Sequence, residues 1–113
     1  MEEVFVMFSE PLESIGLVSE KLRMSVGLKL NDDIALNLLF LKNSLPFLGM
    51  LEGDNADTAQ IEKSLDMMTK LGTTIYAEKD NQAEFIMHDF IKPNFFDPNE
   101  FKFIVKNAKR IIS

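Results

Sequence analysis

The sequence predicts an α+β domain, ordered as helix, antiparallel strands, helix, β-hairpin and C-terminal helix. Three observations carry that expectation. Residues 97–112 open on an almost complete helix start and continue in an amphipathic pattern. Residues 57–72 do the same and close on a glycine. Between them, two β-rich runs flank a polar turn.

Length and composition set the bounds. A chain of 113 residues holds one core, so 1–113 reads as a single domain, with no Gly/Ser-rich linker or internal repeat to divide it. Apolar residues at 46% and charged residues at 27% place it among globular proteins. A net charge of −6 argues against a nucleic-acid partner, which needs a basic stripe, and against an anionic membrane surface. The absence of cysteine excludes disulfides and thiol chemistry. Seven methionines and ten phenylalanines, with one tyrosine and no tryptophan, make an adaptable apolar interior or a surface that re-packs around partners.

The opening Met1-Glu2-Glu3 has no positive segment, and the apolar run 4–8 is too short for a signal sequence or a membrane span. The expectation is a cytoplasmic protein without membrane insertion. Ser9-Glu10-Pro11 reads as a helix start, and Ile15, Val18, Leu22 and Val26 recur at helical spacing as far as Gly27, giving a helix over 10–26. Leu17, Met24 and Leu28 line a second face of it, for packing or for a partner. Residues 28–30 read as a short strand and 31–33 as a turn. Residues 34–42 are apolar apart from Asn37 and Lys42, and Pro46, Asn43-Ser44 and Gly49 favour a hairpin of strands 34–42 and 47–52 over one helix.

In the next helix, 58–71, Asp57 caps with Gln60 three residues on. Ile61, Leu65, Met68 and Leu71 form a stripe that Met67 widens, and Gly72 supplies a left-handed stop. Residues 73–78 and 83–92 are the expected hairpin strands around the turn 79–82. The second is apolar on both sides, with Phe85, Met87 and Ile91 on one and Ile86 and Phe90 on the other. Asp97, Pro98 and Glu100 begin the last helix, 98–112, stapled by Phe96 and Phe101. Phe103 falls among its lysines, either lying on their stems or meeting a second chain.

No motif for catalysis emerges. His88 is the sole histidine, and its neighbour Asp89 points to the other side of an extended chain. The acidic loop 52–57 lacks the alternating ligands, central glycine and terminal glutamate of a calcium loop, and neither a zinc set nor a phosphate-binding glycine loop occurs. No catalytic residue, metal or cofactor is assigned.

The order of elements resembles the class I effector chaperones of type III secretion and the related YbjN-like domains. The resemblance rests on the run from the 58–71 helix through Gly72 and the hairpin to Asp97-Pro98-Asn99-Glu100. It rests also on Leu38-Leu39-Phe40-Leu41 preceding Leu48-Gly49-Met50-Leu51, similar to the paired central strands of that family. It implies a small acidic α+β homodimer that holds an extended segment of a secreted client. On that reading Phe85, Met87 and Phe103 receive the partner, and Met67 and Met68 form the dimer contact. The alternatives are a YbjN-like module that binds a folded regulator, and a small ligand-binding or enzymatic α/β domain.

Overall fold

In the computed structural model, residues 1–53 and 55–113 are described; Asp54, in the acidic loop, lies outside them. Five strands form one sheet: β1 (Glu2–Phe8), β2 (Ile34–Phe40), β3 (Thr74–Glu78), β4 (Asn94–Phe96) and β5 (Arg110–Ile112). Their order is β4-β3-β2-β1-β5, and every neighbouring pair is parallel. Helices α1 (Ile15–Lys29) and α2 (Ala56–Lys70) pack side by side on one face, and the single turn α3 (Phe101–Ile104) covers part of the other. The architecture is an α/β, Rossmann-like one.

This corrects the expected α+β fold with antiparallel strands, and each departure has a physical cause. Residues 4–8 belong to β1, which is flanked on both sides. Val4, Val6 and Phe8 face the helices beside Leu36, Leu38 and Phe40 of β2, while Phe5 faces the opposite layer with Leu39 and Phe96. A strand buried on both faces reads as a continuous apolar run, and such a run has no period to reveal it. Full burial of each large side chain contributes about 1.5–3 kcal/mol, more than the local propensity of any residue can oppose.

The hairpin does not form. The turn after β3 is real, with the Gln82 N–H bonded to Asp80 Oδ1 at 3.0 Å. Beyond it, however, the chain leaves the sheet and crosses to residues 48–50. There Gly49 and Met87 make an isolated antiparallel bridge, and the His88 N–H donates to the Leu48 carbonyl at 3.0 Å. Phe85, Met87, Phe90 and Ile91 pack on the helix-side core from this crossing, which is why both sides of the segment are apolar. Asn94–Phe96 then returns parallel to β3.

The last helix is also shorter than expected. The Glu100 carboxylate accepts from the Asp97 N–H at 2.8 Å, so the capping signal is used. Helix α3 nevertheless ends at Ile104, and the tail becomes β5. Without it, the outer backbone groups of the buried Val4–Val6 stretch of β1 would lack partners, an outcome costlier than ending a helix early. The Lys109 N–H donates to the Glu3 carbonyl at 2.7 Å at the start of that pairing. Residues 28–30 complete α1 instead of forming a strand, and residues 42–48 form a 3-10 helix through Pro46 where a hairpin turn and the start of a second strand, 47–52, were expected.

Helix α2 follows its pattern, with Asn55 instead of Asp57 as the cap: its side chain accepts from the Thr58 N–H at 3.0 Å. Gly72 follows α2 at φ +79°, a left-handed conformation that suits glycine. No helix of the described residues is long and apolar enough to cross a membrane.

Candidate functional site

Because all strands run one way, the loops that follow β1, β2 and β3 leave the sheet at the same end. In open parallel sheets this carboxyl end is where ligands bind. Here the three loops enclose a groove of about 510 Å³. Leu12 and Ile15 form one wall, Pro46, Met50, Leu51 and Glu52 a second, and Glu84, Phe85 and Ile86 the third. The volume falls within the range of small-molecule and peptide pockets.

Each wall is fixed by local chemistry. The first is pinned by Lys21, which reaches back from α1 to the loop. Its ammonium bonds the Glu10 carboxylate at 2.9 and 3.2 Å and the Met7 carbonyl, and lies 4.6 Å from the centre of the Phe8 ring. Burial alone would raise the pKa of Glu10, but the hydrogen bond and charge of Lys21, with backbone N–H donors, outweigh it and hold the carboxyl below its ordinary value. In the second wall, the buried Ser44 Oγ lies 2.7 Å from the Phe8 carbonyl and 2.8 Å from that of Leu41, tying the 3-10 helix to the end of β1.

The third wall is held against the second through backbone. A Cβ on Gly49 would meet the Ile86 carbonyl oxygen at 2.5 Å, so only glycine permits this approach. The Met50 N–H also faces the Ile86 carbonyl, at 3.4 Å. Met50 is 79% and Ile86 81% exposed, two large apolar residues whose backbones are neighbours and which both line the groove. Glu52 and Glu84 are exposed at the rim, and no lysine or arginine lines the groove among the described residues. The lining contains no pairing of a nucleophile with a base; it can enclose apolar groups and meet positive charge.

The residues expected to bind a partner separate in space. Phe85 lines the groove, half-buried, and Met87 packs beneath it on the core. Phe103 lies on α3, across the sheet, 80% exposed. Met68 is fully enclosed in the core and has no surface to offer a second subunit, whereas its neighbour Met67 is 38% exposed. None of Leu12, Ile15, Pro46, Met50, Leu51 and Ile86 was expected from the sequence to line a binding groove. Only the parallel topology brings their three loops together; Pro46 and Gly49 were the sole local signal.

The fold is that of an α/β protein with a parallel sheet and an apolar groove built from its strand-end loops. No family model matches the chain, and no curated protein matches it. Among solved structures it is similar to the ychN protein from E. coli, known from a crystal structure, with a TM-score of 0.75 over 99% of this chain and 98% of that one. The two share 15% identity, a likeness of fold alone.

Proposed function

We propose that this chain is a non-catalytic, cytoplasmic binding protein that holds an extended apolar segment of another protein in the groove at the carboxyl end of its sheet. The observation that carries this reading is the pairing of Met50 and Ile86, both about four-fifths exposed, above a pocket lined by Leu12, Pro46 and Phe85. Large apolar side chains clustered at a concave mouth are the mark of an interaction site, whereas singly scattered ones are not. The sheet edges, β4 and β5, are three residues long each, so pairing of a client strand with them adds little, and the affinity comes from side-chain pockets.

The protein acts as a homodimer on this reading, with Met67 on the exposed side of α2 as the contact. Sedimentation at roughly tens of micromolar tests it: a dimer that Met67→Asp converts to monomer is expected, and a wild-type monomer rejects it. For the groove, light scattering of an aggregating apolar client is the measure. Wild type is expected to suppress scattering and Ile86→Asp to lose that effect; equal protection by both would remove the groove from the reading.

A second reading has one observation in its favour. The carboxyl end of a parallel sheet is where α/β proteins place small ligands. On that reading the same groove encloses an apolar small molecule, and Ile86→Asp abolishes its binding while leaving client aggregation unchanged.

A further inference from the structure

The groove is one-sided in charge as well as apolar. Glu52 and Glu84 stand on the two walls that Gly49 and Ile86 join, and both are exposed. Glu13 follows Leu12 in the first loop, also exposed. Asp57, in the first turn of α2, lies beside the start of α1, where a Cβ on Gly16 would be 3.8 Å from its Oδ2. Lys21, the cation that pins the first wall, is already engaged by Glu10 and the Met7 carbonyl. The lining therefore offers an occupant apolar contact together with carboxylates and, among the described residues, no cation.

Resting on the binding reading above, we infer that the groove selects segments in which a short apolar core is flanked by lysine or arginine. Charges at this exposed rim are screened over about 8 Å at physiological salt, so Glu52 and Glu84 act on residues of an occupant that come close to the lining. Charges placed at the rim of an interface mainly set partner choice and encounter rate. An acidic flank on the occupant would meet like charge on both walls; a basic flank would meet opposite charge. The overall charge of −6 acts in the same direction.

The test uses the full chain and three labelled synthetic peptides sharing one leucine–phenylalanine core, flanked by lysine, by serine or by glutamate, with binding read by fluorescence anisotropy. The lysine-flanked peptide is expected to bind about tenfold more tightly than the serine-flanked one, and the glutamate-flanked peptide most weakly. The preference should shrink in raised salt and in the double variant Glu52→Gln, Glu84→Gln, both positions being exposed enough to leave folding intact. Equal binding of all three peptides, lost in Met50→Ser with Ile86→Ser, would overturn the charge selection and leave the groove standing. Binding of all three that Met50→Ser with Ile86→Ser does not weaken, or binding of none, would overturn both.

Discussion

Gly49 and Ile86 approach so closely that no side chain fits between them: a Cβ on the glycine would lie 2.5 Å from the Ile86 carbonyl oxygen and 2.9 Å from Cδ2 of Phe85. Two loops from different strand ends are joined at this point, and the groove exists because they are. Gly49→Ala must push the 85–88 segment outward. The expected cost is about 1–3 kcal/mol in denaturant unfolding, as for overpacking elsewhere, together with faster hydrogen exchange at the His88 amide, which donates to Leu48. Unchanged stability and exchange would mean the two loops are not in contact.

Ser19, on α1, is buried, and its hydroxyl has no hydrogen-bond partner among the described residues. A buried, unpartnered hydroxyl is destabilising, and alanine removes it without opening a large void. Ser19→Ala should raise stability by about 1 kcal/mol, read as a higher denaturation midpoint at unchanged slope. A loss of stability would reveal a partner for the hydroxyl.

The bond between Lys21 and Glu10 ties the first groove wall to α1 with side chains only 10% and 13% exposed. Lys21→Met removes the ammonium donor from the Met7 carbonyl and leaves the Glu10 carboxylate with backbone N–H donors alone, at an expected cost of about 1–3 kcal/mol near neutral pH. The carboxyl of Glu10 titrates below its ordinary 4.5 in the folded chain, so the unfolded chain takes up that proton first on acidification. The stabilisation is thus complete above 4.5 and is lost as pH falls through the depressed value. The gap in Tm between wild type and variant should narrow over that interval, and a gap constant down to about pH 3 would contradict the assignment.

At the far edge of the sheet, the Lys109 N–H donates to the Glu3 carbonyl at 2.7 Å and begins the pairing of β5 with β1. Lys109→Pro removes that donor and should cost about 1–3 kcal/mol by thermal or denaturant unfolding, whereas Lys109→Ala should be nearly neutral. Equal effects of proline and alanine would show that the bond contributes nothing.

Where the signal is local, it was legible. The turn at Asn31 forms through the Asp33 N–H bonded to Asn31 Oδ1 at 2.9 Å, and α2 with its glycine stop at Gly72 lies within two residues of its expected bounds. Caps and turns act between residues a few positions apart, so the pattern that specifies them is visible in the same few residues. Of the groove's lining, only Phe85 was expected to meet a partner, and that expectation came from the family resemblance.

The sequence by itself determined an acidic, cysteine-free chain with the α2 helix, the turns on either side of the central strands, and an apolar run in each of β1 and β2. Tertiary structure alone decided that those runs lie parallel and adjacent, that residues 83–92 leave the sheet to close a groove, and that the tail abandons its helix for the open edge of β1. The reason is the range of the forces. Strand direction and pairing are set by which distant backbone groups would otherwise be buried without partners, and an apolar run carries no mark of the strand it will meet.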